Sequence, residues 1–134
     1  MEAQINHWAV FTAALSTFLI GGLWYSPLLF HKSWMRANGF SEEYLKKGNP
    51  AVIYGLSFVF AWIMAYNLAF FVSGPDDTAS WAVSAALLAG FGWAALSLAI
   101  ISLFERRPAS YILINGGYIT VAFAVMGLII GLWR

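Results

Sequence analysis

All charged side chains of this chain, seven Lys and Arg and six Asp and Glu, fall outside four long apolar stretches. Those stretches run over residues 7–29, 50–73, 80–104 and 109–133. A helix needs about 20 apolar residues to cross a hydrocarbon core of roughly 30 Å, so each is long enough to span a bilayer. Charged residues make up 10% of the chain, against about 25% in soluble domains. The bilayer is therefore the expected solvent for most of it. The pattern predicts an all-α, polytopic membrane protein in one unit of 134 residues: a four-transmembrane-helix bundle with short loops. The first stretch is too long for the h-region of a cleavable signal, and Glu2 is the only charged side chain before it.

Orientation follows from the placement of Lys and Arg in short loops. The loop over residues 30–49 carries Lys32, Arg36, Lys46 and Lys47, and the loop after the third span carries Arg106 and Arg107. The opposite side has only Arg134, with Glu2, Asp76 and Asp77. This predicts basic loops in the cytoplasm and both termini outside. Trp8, Trp81 and Trp133 fall at the outer interface and Trp24 and Trp34 near the inner one, as aromatic belts require. Trp62 and Trp93 sit mid-span, where they fill space between helices, face lipid, or form an aromatic wall for a ligand.

The long loop is expected to be partly helical and to anchor at the headgroups. Ser41 can cap a short helix, with Glu42 and Glu43 at its positive end and Lys46 and Lys47 at its negative end. Gly48 would end that helix and Pro50 opens the second span.

Small residues recur at four-residue spacing in every span, and such stripes let helices approach closely in lipid. They are Ala9, Ala13, Thr17 and Gly21; Ser57, Ala61, Ala65, Ala69 and Ser73; Ala82, Ala86, Gly90 and Ala94; and Gly116, Thr120 and Ala124. Gly127 and Gly131 form a GxxxG that suits either a dimer contact or packing inside the bundle. Trp8-Ala9-Val10 matches Trp81-Ala82-Val83, and Leu29-Phe30 matches Leu103-Phe104. These short echoes suggest a parallel repeat of two helix pairs.

The spans contain no Asp, Glu, Lys or Arg, the usual markers of proton relays and ion paths. With no cysteine and with His7 and His31 on opposite sides, no metal or other cofactor is expected. No catalytic constellation is visible, so an enzyme is not expected, and a net charge of +1 gives no reason to expect nucleic acid. The two amides at membrane depth are Asn67 and Asn115, with Tyr118 one turn beyond Asn115 on the same face and Gly116 and Gly117 loosening the helix between them. The strongest local motif is Gly22, then Trp24, Tyr25, Ser26 and Pro27. Pro27 has no N–H for the carbonyl of Leu23, so the helix should kink or stop there.

The run from Gly22 through Trp24-Tyr25-Ser26-Pro27, Phe30, Lys32 and Trp34 resembles the first-helix signature of the bacterial membrane family catalogued as domain of unknown function 1761. Leu103-Phe104-Glu105-Arg106-Arg107-Pro108, Ile114-Asn115-Gly116-Gly117-Tyr118 and Met126-Gly127 are similar to its second half. His31 stands where that pattern favours a small residue, often glycine. The resemblance implies the membrane fold and singles out positions without giving them roles. Two readings of function follow from the residues. One is a non-enzymatic structural or accessory bundle that binds membrane lipid or a partner complex. The other is a small channel or transporter for a neutral or hydrophobic solute, which would need a homo-oligomer.

Overall fold

The computed structural model describes residues 4–134. Glu2, one of the outer charges, lies outside the described residues. Four long apolar helices make up the fold: span 1 (His7–Trp24), span 2 (Pro50–Val72), span 3 (Ala79–Phe104) and span 4 (Ala109–Leu132). Each is long and apolar enough to cross a membrane, which makes this a multi-pass α-helical membrane protein. The end carrying residues 25–49 and 105–108 is called the basic end below, and the opposite one the terminal end.

Local chemistry sets most boundaries. Asn6 accepts from the N–H groups of Trp8 and Ala9, Asn49 from Val52, and Thr78 from Trp81. Each supplies an acceptor for first-turn donors that have no partner in their own helix. Span 1 is shorter than its apolar stretch, ending at Trp24 rather than near Leu29. The cause is Pro27, and the released carbonyl of Leu23 is taken by the N–H of Ser26 at 3.2 Å and its hydroxyl at 2.7 Å.

The 30–49 loop holds two helices, where the sequence pattern indicated one. Glu42–Lys46 is capped by Ser41, whose side chain accepts from the Tyr44 N–H. His31–Asn38 is the additional one; it ends on Gly39 at φ 69° and packs on span 4.

Span 4 touches all three other spans, while span 2 meets span 3 only along that helix's first part. The core is built from Val10, Ala13, Ala14, Ala61, Ala65, Leu68, Ala69, Val72, Ala82, Ala86, Met126 and Ile130. Apart from Ala61, at the middle of span 2, all of these lie in the terminal half of their spans. The bundle is thus closed at the terminal end and splayed at the basic end, where residues 50–57 are all exposed. The expected repeat is not expressed in packing: spans 1 and 4 meet closely, whereas their counterparts 3 and 2 diverge.

The structure decides one small-residue expectation and corrects another. Gly127 and Gly131 face inward against Ala82, Ala86 and Ala79 of span 3, so they serve the bundle and not a dimer contact. A Cβ on Gly127 would lie 2.5 Å from the Ala86 methyl and 2.7 Å from the Ala82 carbonyl oxygen. In span 3 the stripe is Ala82, Ala86, Gly90 and then Ala95, not Ala94. A π-helical turn at Gly90–Ala95 inserts one residue and shifts the face that follows.

Candidate functional site at the basic end

Three hydrogen bonds tie the end of span 1 to the first half of span 4. The Trp24 indole Nε1 donates to the Ile114 carbonyl at 2.9 Å, the Tyr25 hydroxyl to Asn115 Oδ1 at 2.6 Å, and the Tyr118 hydroxyl to the Thr17 carbonyl at 3.1 Å. Such bonds average about 0.6 kcal/mol each in lipid and reach about 1.7. The glycines admit the rings that make them. A Cβ on Gly117 would stand 3.1 Å from the Trp24 ring, and one on Gly21 would stand 3.2 Å from the Tyr118 oxygen. Gly116 is different, with only the Ala95 methyl near, at 3.6 Å. Gly22 is exposed with open space around it.

The corner continues into the loop. Phe30 N–H donates to the Trp24 carbonyl at 3.0 Å, and His31 N–H to that of Ser26 at 3.2 Å. His31 Nδ1 lies 3.1 Å from the Tyr25 carbonyl and Nε2 lies 3.5 Å from Glu42 Oε1. Both partners are acceptors, so the two contacts coexist as hydrogen bonds only when the ring is an imidazolium. A run of edge contacts links Tyr118, Tyr25, Trp34 and Phe40, ending with Tyr44 stacked on Phe40 at 4.8 Å. His31 thus closes the end of span 1.

The structure therefore gathers Trp24, Tyr25, Ser26, Pro27, Asn115, Gly116, Gly117 and Tyr118 at one corner. Asn67 is not among them. It lies on the outward face of span 2, toward the terminal end, where its amide donates to the Ile63 carbonyl of its own helix at 2.9 Å. Nor do the mid-span tryptophans form a shared wall. Trp93 is 81% exposed on span 3, while Trp62 packs against Phe11 and Phe58 on the other side.

Beside the corner, a groove of about 360 Å³ runs between spans 3 and 4. Trp24, Phe91, Ala95, Leu96, Gly116 and Gly117 help to line it, so it borders the π turn. A second hollow of about 530 Å³ shares Phe91 and Thr120 with it and extends along Ser84, Leu88 and Gly92. The Thr120 hydroxyl is spent on the Gly116 carbonyl at 2.8 Å, which leaves the wall apolar. Neither hollow is lined by Asn67, Asn115 or Tyr118.

The turn closing the groove's basic end is a Schellman motif. Arg107 N–H bonds the Ser102 carbonyl at 2.9 Å and Arg106 N–H that of Leu103 at 3.1 Å. Arg106 occupies its left-handed position at φ 57°. Glycine fills such positions without strain, whereas an L side chain costs about 1–2 kcal/mol there.

Sequence reasoning also missed a polar cluster at the terminal end. Arg134 donates from Nη1 to the Gly74 carbonyl and from Nη2 to the Val72 carbonyl, both at 3.0 Å. Gln4 N–H takes the Ser73 carbonyl at 2.8 Å, and the Trp81 indole takes that of Phe71 at 3.4 Å. Span 2 thus has its exit carbonyls satisfied from three other parts of the chain. The signal was present, since Arg134 is the one Lys or Arg at the end opposite the basic loops.

These features define a multi-pass helical bundle, closed at one end and carrying a hydrogen-bonded corner and a lateral apolar groove at the other. The family described as "Protein of unknown function (DUF1761)" matches residues 8–131, and the chain belongs to it. No curated protein and no solved structure matches it.

Proposed function

We propose that this chain is a non-enzymatic accessory protein of the bacterial inner membrane that binds a lipid chain in the groove between spans 3 and 4. One contrast carries the reading. The Trp24, Tyr25 and Tyr118 donors of the corner are each spent on an acceptor within the bundle, while the groove beside them is apolar and opens sideways. That arrangement suits an acyl chain entering from the bilayer better than a polar solute crossing it. The test is native mass spectrometry of protein released from mild detergent, comparing wild type with Ala99→Phe, which fills the groove from a lining position. Retained lipid in the wild type and its loss in the variant support the reading; equal retention in both overturns it.

The basic end belongs in the cytoplasm under this proposal. The six Lys and Arg there follow the positive-inside rule, and the lone Arg134 opposite is committed to span 2 carbonyls. The chain has no native cysteine, so single-cysteine labelling is clean. An impermeant reagent applied to intact cells should modify Asp76→Cys and spare Lys47→Cys; the reverse pattern inverts the topology.

One observation favours a homo-oligomer as well. Ile53, Leu56, Phe60, Ile63, Asn67 and Phe70 alternate at three- and four-residue spacing and are all exposed. This is a heptad seam with an asparagine in it. Two copies about an axis normal to the membrane would set span 2 parallel to itself and Asn67 against Asn67. Oxidative cross-linking of Ile63→Cys should give dimers, and Asn67→Leu should weaken them about 3- to 20-fold. The oligomeric channel, the alternative reading of the sequence, would have to be built from this face and not from Asn115 and Tyr118.

A further inference from the structure

We infer that Arg106, with Arg107 beside it, holds the headgroup phosphate of an anionic phospholipid whose acyl chain occupies the groove. The inference rests on the lipid-binding reading above and adds the class of lipid and the residues that select it.

Residues 105–108 join the two helices that form the groove walls, so this turn closes the groove's basic end. Groove residues Ile112 and Leu113 begin one helical turn beyond Pro108. A lipid lying in the groove with its head at this membrane surface must therefore place that head near residues 105–108. The turn offers one carboxylate, Glu105, and two arginines, and the arginines are held differently.

Arg107 is partly fixed. Its Nε lies 3.5 Å from Glu105 Oε1 and its guanidinium sits 5.0 Å over the Tyr111 ring. Among the described residues, no side-chain hydrogen bond or ion pair engages Arg106. Its neighbour's charge is already shared with Glu105, so Arg106 supplies the uncompensated positive charge of the turn. It does so from a left-handed backbone position that glycine would occupy without strain.

A strained residue persists where its side chain has a use that offsets the strain. Here the packing gives Arg106 none, because it is exposed and unpaired while the turn's hydrogen bonds are made by backbone groups alone. A guanidinium is the side chain best shaped to grip a phosphate with two parallel N–H donors. Phosphodiester charge and apolar chain together specify a phospholipid. Free phosphate would satisfy the arginine but leave the groove unused.

The two roles of position 106, backbone and charge, predict opposite signs, which makes the test decisive. In micelles free of anionic lipid, where the backbone effect is read alone, Arg106→Gly should raise the thermal midpoint or leave it unchanged. The binding comparison is made in mixed micelles doped with phosphatidylglycerol. Retained phosphatidylglycerol, counted by native mass spectrometry, should fall about fivefold, the effect of one basic residue near an anionic surface. Arg106→Lys keeps the charge but not the two-donor fork and should retain only part of the binding. Phosphatidylcholine, whose phosphate is compensated by its own ammonium, should lose less than phosphatidylglycerol, and added inorganic phosphate should not displace the lipid. Unchanged phosphatidylglycerol retention in Arg106→Gly overturns the inference, as does a fall in thermal midpoint without anionic lipid, which would make the arginine structural. Displacement by inorganic phosphate overturns it too, by assigning the arginine to a soluble anion. The Ala99→Phe variant separates the two levels. If it loses both lipids while Arg106→Gly loses neither, the groove stands and the headgroup site falls.

Discussion

The Tyr25 hydroxyl reaches Asn115 Oδ1 at 2.6 Å across 90 residues of sequence, and this contact joins the two halves of the chain. It sits where the bundle has begun to splay, so little close-packed apolar surface backs it up. Trp24 and Tyr118 bond the same two helices on either side of it. The basic end is therefore fastened by these bonds and the rings packed around them, and the terminal end by small-residue packing together with the Arg134 cluster.

Tyr25→Phe should consequently lower stability in detergent by about 1–2 kcal/mol, since it strands the Asn115 carbonyl oxygen away from water. Asn115→Leu should cost a similar amount. The double variant should cost clearly less than the two single changes added together. Equal additivity in a double-mutant cycle, read by denaturant unfolding, would show that the contact is not coupled.

The glycines of span 4 should respond very differently to the same methyl group. Gly116→Ala meets only the Ala95 methyl at 3.6 Å, an ordinary contact. It should be neutral or stabilising by up to about 1 kcal/mol through helix propensity. Gly127→Ala drives its Cβ to 2.7 Å from the Ala82 backbone oxygen, which cannot swing away. Separating spans 3 and 4 to relieve that overlap should cost about 1–3 kcal/mol or more. Thermal midpoints of the two variants should fall on opposite sides of the wild-type value or, at the least, stand well apart, with Gly116→Ala the higher.

Much of this was legible in the sequence, and the limits have physical causes. Charge-free runs mark spans because a bilayer penalises ionised groups strongly, so the number and approximate position of the helices followed directly. The Pro27 stop and the Ser41 cap are local chemistry and were equally readable. Asn67 and Asn115 look alike in the sequence, but which way an amide faces depends on helix rotation. Lipid-facing and core-facing residues are both apolar here, so periodicity does not reveal that rotation. The π turn was hidden for the same reason: Ala94 and Ala95 are identical side chains, and only packing against span 4 selects the second. Arg106 reads as a loop charge until the backbone shows its left-handed conformation.

At the terminal end, Arg134→Gln should lower stability by about 1–2 kcal/mol, because the Val72 and Gly74 carbonyls lose a charged donor at a helix C-terminus. Arg134→Lys should recover only part of this. One ammonium carries the charge but lacks the planar fork that here serves both oxygens. Full recovery by lysine, measured by thermal unfolding, would mean that charge alone matters and that the two-carbonyl geometry does not.

Removing a residue from the π turn should be tolerated, against intuition for a helix deep in a membrane. Gly90 and Ala95 both face span 4, yet they are five residues apart. Deleting Gly92 would place the present Ala95 four residues after Gly90, continuing the spacing of Ala82, Ala86 and Gly90 in an ordinary α-helix. The packing face survives the deletion, so unfolding free energy should change by less than about 1 kcal/mol. Inserting an alanine after Gly92 has the opposite geometry. It turns Ala95 and the buried Ser102 away from span 4 by about 100° and should cost several times more. The deletion removes a residue that lines the second hollow and tightens the helix beside the groove. It should therefore weaken lipid retention while sparing the fold. A deletion variant that unfolds as readily as the insertion variant would assign the π turn to stability; one that stays folded but sheds its lipid assigns it to the groove.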